Sequence, residues 1–404
     1  MLTLAPSHVL IKDNLIMLKY YAAVGTLVLS TTAVDAGGWE TGRLDTGFLY
    51  QNGNYVEASY GNLDYSVNGT TQANQTHEMA KDQKRMNLSG KFAAGDFDIG
   101  LTSFGSGAIQ MDGQGAAVNT TACKTALASY TAAAAAGSAA DMVTQSQLMG
   151  ANCSVVPSAD VKLNTQALMA RYSFNDKYSV IAGVRQASLK KSSLDTLAAT
   201  YSIDAVNKTG FVYGLTYERP DIALKFEILR SEKITIGLVG KAASVLDVTG
   251  TLVVPAATTI NFQTGIAENT LLMASAHRVN WTGSNVTLDV AASPSLNQAS
   301  DFSNTTSYSL GLGRRLNEAT SASLTYSWEK GTNPGGASTS PFTMSNGSET
   351  LSFGVQHKIG LMTISGGVSY TKAGDVDVTH SSGLTASYAG NSVTAVGIKV
   401  GYNF

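Results

Sequence analysis

Residue types that could do chemistry are sparse in this sequence of 404 residues. The histidines are scattered and none has a spacing typical of metal ligands: His8, His77, His277, His357 and His380. There is no Gly-x-Ser-x-Gly nucleophile motif, and no glycine-rich phosphate loop stands between a strand and a helix. The sequence therefore predicts no catalytic residues, no metal site and no cofactor, and the protein is not expected to be an enzyme.

Cations on polar strand faces are better candidates for binding. Arg171, Arg185, Lys225 and Arg278 alternate with apolar neighbours and are predicted to share the polar side of their strands. Such groups pair with carboxylates, so they are the predicted ligand-binding residues, with Arg171, Arg185 and Lys225 the stronger ones. Glu57 is a predicted gate residue that pairs with one of these three. The alternative is a network of ion pairs that only stabilises the protein.

Composition excludes several classes of protein. Charged residues make up 14% of the chain, below the roughly 25% of an average globular protein, and the formal net charge is −2. Without a basic excess, a nucleic-acid partner is disfavoured. Apart from one N-terminal stretch, no run approaches the ~18 apolar residues of a membrane-spanning helix. A bundle of transmembrane helices is therefore excluded.

The N-terminus has the pattern of a signal peptide over residues 1–36. Lys12 and Lys19 precede the apolar stretch at 20–29, and small residues lead to Ala36, the predicted cleavage site. The alternatives are an uncleaved anchor helix and a true start at Met17. The protein is therefore predicted to be exported.

Two cysteines in an exported chain predict a disulfide. Cys123 and Cys153 flank an alanine-rich piece with helical propensity inside a long loop at 106–159. Closing about 30 residues would stabilise the fold by about 3.6 kcal/mol on the chain-entropy model. Two free thiols are the alternative.

The remaining chain alternates with a period of two residues. At 221–230, Leu224, Phe226 and Ile228 fall on one face, and Lys225 and Glu227 fall on the other. A soluble sandwich also alternates. Three features favour a transmembrane barrel instead. The strands are 10–12 residues long, tight connections alternate with long ones, and aromatic residues lie near the strand ends. These aromatics are Tyr172, Tyr178, Tyr217, Trp281, Trp328 and Phe404.

The predicted fold class is all-β, a 14-stranded antiparallel transmembrane β-barrel over residues 54–404. Residues 37–53 precede it as a short N-terminal plug. The predicted strands lie near 54–67, 84–93, 96–105, 160–173, 178–189, 208–218, 221–232, 258–266, 270–281, 306–315, 320–330, 347–358, 361–371 and 391–404.

Several stretches resemble the FadL-type transporters of bacterial outer membranes, especially their alphaproteobacterial branch. They are GNYVEASYG (53–61), RYSFNDKYSVIAGVR (171–185), YGLTYERPDIALKFEI (213–228), FQTGIAENTLLMASAHRVNW (262–281), YSLGLGRRLNE (308–318) and ISGGVSY (364–370). The resemblance implies a monomeric outer-membrane barrel that takes up long-chain fatty acids or similar compounds passively. Its implied steps are capture by outer loops, an apolar lumen pocket, and release past the hatch or sideways through the wall.

Ser103, Phe104 and Gly105 lie where many members of that family carry Pro-Phe-Gly, at a kinked third strand. The resemblance makes them predicted gate residues, with the kink resting on Gly105 and Gly107. Contacts with outer-membrane lipids are expected too, and the terminal Phe404, with apolar residues at alternate positions before it, predicts recognition by the barrel-assembly machinery.

Three alternative functions remain open. A channel for aromatic hydrocarbons or alkanes needs the same apolar path. An outer-membrane hydrolase would need a serine or aspartate beside His277 at the outer rim. A general porin predicts segregated charges at a constriction loop, which the sequence does not display.

Overall fold

The computed structural model describes the chain from residue 38 onward, with gaps. The described residues are 38–71, 78–113, 121–152, 157–195, 200–290, 300, 302–332, 337–338, 340, 342–379 and 385–404. The predicted signal peptide and Cys153 of the predicted disulfide lie outside them.

Fourteen strands form the wall of one barrel. They are β1 (Tyr55–Ser66), β2 (Gln83–Ala94), β3 (Phe97–Met111), β4 (Ser158–Ser173), β5 (Tyr178–Leu189), β6 (Val206–Arg219), β7 (Leu224–Ser231), β8 (Ala257–Ala267), β9 (Thr270–Val279), β10 (Thr305–Arg315), β11 (Thr320–Lys330), β12 (Gly347–Ile359), β13 (Met362–Ala373) and β14 (Ser392–Asn403). Each pairs antiparallel with the next, and β1 pairs with β14 from Tyr55↔Asn403 to Ser66↔Ser392. The sheet closes on itself, which confirms the predicted fold class and the predicted strand count.

The two ends of the barrel differ. Tight turns and the entry to β1 share one end, here called the turn end. Long connections share the other, the loop end. The largest difference from prediction in the wall is β3, which continues to Met111 instead of ending near residue 105.

The wall has an apolar outer face and a polar inner face. Leu101, Leu215 and Leu310 point outward and are 58%, 62% and 50% exposed, whereas Glu227 and Thr325 point inward and are buried. An apolar outer face on a sheet without free edges suits a lipid environment, because every wall strand has a neighbour on both sides.

Aromatic pairs mark both rims of the apolar face. Tyr178 stands 5.0 Å from Tyr217 at the turn end, and Tyr308 stacks on Trp328 at 5.5 Å near the loop end. Aromatic side chains of this kind sit at the interface between lipid and water. Trp281 is an exception to the predicted girdle, because it is 1% exposed and packs against Phe302 inside the loop end.

The predicted long loops carry more structure than expected. Residues 233–257, predicted as a loop, hold the hairpin Ile234–Ala242 and Leu246–Val254. Further short strands extend the sheet at the loop end: Ser192–Asp195, Thr200–Ile203 and Thr287–Val290. A second, four-stranded sheet combines Gly69–Thr71, Ala337–Ser338, Val376–Thr379 and Thr385–Tyr388. The hairpin was missed although its residues alternate in period two.

The alanine-rich piece forms two helices, α1 (Thr121–Ala135) and α2 (Ala139–Asn152). Buried Tyr130 and Met142 hold them together, and the cluster packs against Leu246 of the outer hairpin. None of the helices in the described ranges is long and apolar enough to cross a membrane.

The barrel predicts heat-modifiable electrophoresis. Without boiling, the folded wall should resist detergent because its backbone hydrogen bonds close on themselves, and the band should run faster than after boiling. A pair of gels, with and without heating of the same sample, measures this. An identical position in both gels would contradict a closed barrel.

Candidate functional site

The wall contains an incomplete seam between β2 and β3. These strands pair over seven residues only, from Leu88↔Ser103 to Ala94↔Phe97. Toward the loop end, 83–87 of β2 pair only with β1, and 104–109 of β3 pair only with β4 among the wall strands. The hydrogen bond from the Lys81 amide to the Gln110 carbonyl, 3.2 Å, closes the seam again further out. A slot therefore remains in the loop-end half of the wall.

A bulge in β3 shapes this slot. The pairing of β3 with β4 shifts register between Gly105 and Gly107, which leaves Ser106 as an extra residue. The shift reverses the alternation, so that Ile109 and Met111 point inward and join the apolar cluster at the loop end. The predicted gate residues lie here: Ser103 makes the last pair with β2, Phe104 is buried and Gly105 begins the bulge.

Residues 38–54, here called the N-terminal segment, cover the slot from inside. The Ala108 amide donates to the Trp39 carbonyl at 2.9 Å, and the Thr41 amide donates to the Ser106 carbonyl at 3.0 Å. From the other edge of the slot, the Arg85 guanidinium donates to the Thr41 carbonyl. The segment thus replaces part of the missing β2–β3 pairing.

Two glycines permit this close approach. A Cβ atom built on Gly42 would overlap the carbonyl oxygen of Gly105, and one built on Gly107 would overlap the ring of Trp39. By contrast, a Cβ on Gly105 would meet only the Asn164 side-chain oxygen, at 4.0 Å.

His277 ties the N-terminal segment to the opposite wall. Its Nε2 lies 2.9 Å from the Glu40 carboxylate, and its Nδ1 lies 2.8 Å from the Thr259 hydroxyl. The Thr259 hydroxyl, the His277 imidazole and the Glu40 carboxylate are hydrogen-bonded in the same order as the three groups of a nucleophilic catalytic triad. However, His277 is only 3% exposed, and the N-terminal segment would have to leave before a substrate could reach it. The arrangement therefore serves as an anchor in this state.

Glu227 is a second anchor, and the most highly connected one. This carboxylate is 1% exposed and accepts hydrogen bonds from Thr46 at 2.8 Å, from Tyr50 at 2.6 Å and from Asn261 at 2.9 Å. Two of the three donors belong to the N-terminal segment. A buried carboxylate needs such donors, since an unpaired charge there is strongly unfavourable.

An apolar patch lies beside this anchor. Phe48 and Leu49, which are 1% and 0% exposed, pack against inward-facing residues of β4–β7. These residues are Ala167, Met169, Ile181, Val212 and Leu229. The patch stands out because most of the lumen wall is lined by hydroxyls, amides and charges.

The structure places Arg171 and Arg185 apart. In register, Arg171 faces Ile181 while Arg185 faces Ala167, so they lie four residues, or about 13 Å, apart along the strands. Arg171 lies 3.6 Å from Asp98 and 3.7 Å from Glu218, and Arg185 donates to the Glu232 carbonyl at 2.5 Å. The pair predicted to hold one carboxylate does not come together, because the register of β4 and β5 keeps the two residues apart, and both guanidiniums have protein partners.

Lys225 is the exception among the predicted cations. Within the described part of the chain its ammonium group makes no ion pair, and it lies 4.1 Å from the centre of the Tyr50 ring. It lines a cavity of about 310 Å³ between the N-terminal segment and strands β1–β3, β7–β12 and β14. Most of that lining consists of hydroxyl, amide and charged side chains.

The lumen placement of Arg278 was wrong. Its neighbour His277 is the inward residue, so Arg278 is exposed on the outer face of β9. The prediction failed because LLMASAHR lacks a clear alternation that would fix the face. Glu57 also has a different partner from the predicted ones, since it lies 3.4 Å from Lys399 on the adjacent strand β14.

Sequence reasoning missed Glu40, Thr46 and Tyr50, as well as Glu227 as an anchor. Glu227 carried a signal, being an acidic residue two positions from Lys225 on the inward face of β7. The segment residues carried none, because their partners lie more than 150 positions away. Within the described ranges, histidine, cysteine and carboxylate side chains do not gather in groups of three or more that could hold a metal ion.

A closed fourteen-stranded barrel with an apolar outer face, aromatic rims and long loops at one end defines an integral outer-membrane protein. The turn end, which carries both chain termini of the barrel, faces the periplasm in this class.

Solved structures share this architecture over nearly their full length. A Pseudomonas aeruginosa FadL homologue has a TM-score of 0.66 at 11% identity, covering 89% of this chain and 92% of that chain. The Pseudomonas putida toluene transporter TodX has a TM-score of 0.57 at 13% identity, with coverages of 91% and 95%. The Ralstonia pickettii toluene transporter TbuX has a TM-score of 0.57 at 14% identity, covering 93% of this chain and 97% of that chain.

No protein-family model and no curated protein matches this sequence. The likeness to the solved structures is one of fold, and it confirms the FadL-type architecture that the sequence motifs predict.

Proposed function

We propose that this protein takes up hydrophobic compounds passively across the outer membrane. The slot between β2 and β3 is their sideways exit, and the N-terminal segment is the plug that covers it. The observation that carries the proposal is the slot itself, since a sheet in lipid normally leaves no backbone unpaired. The FadL-type fold and the toluene transporters that share it support the same function.

The route follows the apolar surfaces. Aromatic residues of the loop end, among them Trp281, Phe302 and Tyr388, form the entry region. The patch that Phe48 and Leu49 fill is the inner pocket, which a ligand occupies when the plug withdraws. Each methylene kept out of water is worth about 0.8 kcal/mol, so a long alkyl chain moves along such surfaces without entering the aqueous lumen.

A carboxylate-bearing substrate is favoured over a neutral hydrocarbon. Lys225 presents an ammonium group to the cavity, beside a plug residue; it makes no salt bridge in the described ranges, and its nearest carboxylate in register is Glu218 on β6. Hydroxyl, amide and charged side chains are the majority of the residues around it, which suits the head of an amphiphile. Long-chain fatty acids are therefore the proposed cargo, with aromatic hydrocarbons or alkanes as the alternative.

Lys225→Met tests this choice. The substitution keeps the length of the side chain and removes its charge, so uptake of labelled oleate should fall about tenfold, the effect of one lost charged hydrogen bond. Uptake of labelled toluene should not change. Both rates are measured in cells that lack a transporter of their own and express the barrel at equal levels.

Lys241→Met is the matched control, because Lys241 lies on the exposed outer hairpin and pairs with Asp247 at 2.7 Å. It changes the net charge equally and should leave both rates unchanged. Equal loss of oleate and toluene uptake in Lys225→Met would contradict the proposal that Lys225 binds the substrate carboxylate. It would show instead that Lys225 has a structural role.

A further inference from the structure

One row of polar side chains crosses the outer face of the barrel near the loop end. In register, Tyr213 pairs with Arg230 and Arg230 with Thr258. Thr258 pairs with Arg278, and Arg278 pairs with Thr306. Five neighbouring strands, β6–β10, thus contribute one residue each. Hydroxyls and guanidiniums alternate along about 20 Å of wall, at roughly 5 Å per strand.

The next outward-facing row toward the turn end is entirely apolar or aromatic. It consists of Leu215, Ile228, Ile260, Ala276 and Tyr308. The change from polar to apolar between two successive rows marks where the hydrocarbon region of the membrane ends, because charged groups avoid its interior. The change at Arg278, whose outward neighbour toward the turn end is Ala276, therefore places its guanidinium near the lipid head groups, in the outer leaflet.

The two guanidiniums differ in their partners. Arg230 donates to the Thr258 hydroxyl at 2.8 Å and lies 3.8 Å from Glu232, which also accepts a hydrogen bond from Tyr213. Arg278 is exposed and, among the residues that the structure describes, makes neither a hydrogen bond nor an ion pair. The row thus carries two cations and one flanking carboxylate, and one guanidinium keeps all its donors available.

We propose that this row binds the phosphate groups of the glycolipid that forms the outer leaflet. A guanidinium offers two parallel N–H donors that match phosphate oxygens, and the hydroxyls of Thr258 and Thr306 flank Arg278 on both sides. A cation without a protein partner at head-group depth is best satisfied by an anionic lipid. This inference concerns the outer wall and does not depend on the transported compound.

Arg278→Ala tests the site, with Arg314→Ala as the matched control. Arg314 also points outward, on the adjacent strand β10, but it lies at the turn end and donates to Thr270 at 3.0 Å. The purified full-length barrel in detergent is titrated with bisphosphorylated lipid A, and bound lipid is counted by native mass spectrometry. Arg278→Ala should bind about tenfold more weakly, as expected for one lost charged hydrogen bond, and Arg314→Ala should bind like the parent protein.

Dephosphorylated lipid A and inorganic phosphate are the further probes. Weak binding of the dephosphorylated lipid, and failure of equimolar inorganic phosphate to displace the lipid, would support a lipid phosphate site. Unchanged binding by a folded Arg278→Ala barrel, checked by its unboiled mobility, would overturn the proposal. The proposal would also be overturned if dephosphorylated lipid A bound as tightly as the bisphosphorylated form, or if Arg314→Ala weakened binding as much as Arg278→Ala. Full displacement of the bound lipid by inorganic phosphate would overturn it as well.

Discussion

Replacing Gly42 by alanine is expected to open the barrel. The added Cβ would overlap the Gly105 carbonyl oxygen, which is backbone and cannot rotate away. The segment must move off β3, so the hydrogen bonds Thr41–Ser106 and Ala108–Trp39 are lost. At about 1 kcal/mol each, their loss raises the fraction of open molecules roughly 30-fold. Single-channel conductance in planar bilayers measures this fraction directly.

Gly105→Ala is the control for this experiment. Gly105 belongs to the same bulge, yet a Cβ there has room and its backbone is not left-handed. It should conduct as little as the parent protein. A closed Gly42→Ala barrel would show that the N-terminal segment does not seal the slot, and equal opening in both variants would assign the effect to the bulge alone.

Replacing Glu227 by alanine is expected to free the deeper half of the N-terminal segment. Thr46 and Tyr50 lose their common acceptor, although Tyr50 keeps its hydrogen bond with Thr216 at 2.5 Å, and Lys225 loses one neighbouring negative charge. The loss of the Thr46 and Tyr50 hydrogen bonds to a charged acceptor costs about 3 kcal/mol, a large share of what holds a short segment in place. Trypsin added from the periplasmic side should then cleave after Arg43, which is part-buried and donates to Ser307 in the closed state.

Asn261→Ala is the matched control, because it removes a donor to the same carboxylate from the wall and leaves the segment contacts in place. Arg43 should stay protected in that variant. Protection of Arg43 in a folded Glu227→Ala barrel would mean that Glu40 and the slot contacts hold the segment without Glu227.

The architecture was predictable because a barrel in lipid requires a simple alternating pattern of residues in the sequence. Each strand must put apolar residues outward and small or polar residues inward, as in DIALKFEILR, and tight turns must alternate with long loops. The prediction of which residues face the lumen failed where this alternation is weak. LLMASAHR has apolar or small residues on both faces, which hid the outward position of Arg278.

The candidate site was predictable only in part. The resemblance to the FadL-type family implied a kink in the third strand at Gly105 and Gly107, but alternation within one strand cannot show that a neighbouring strand stops pairing. The slot is a property of the register between β2 and β3 and of a segment that replaces the missing edge. Likewise, the partners of Arg171 and Arg185 depend on their depth along the barrel, which is set by pairing across strands and not by their spacing in the chain.

Uptake of labelled oleate and labelled toluene tests the central claim most directly, in cells that lack such a transporter and express this chain. Oleate uptake well above the empty-vector control is expected, with toluene entering more slowly. Uptake of toluene alone would reassign the cargo to neutral hydrocarbons. Uptake of neither compound, by a barrel shown to be folded by its unboiled mobility, would contradict a role in the transport of hydrophobic compounds.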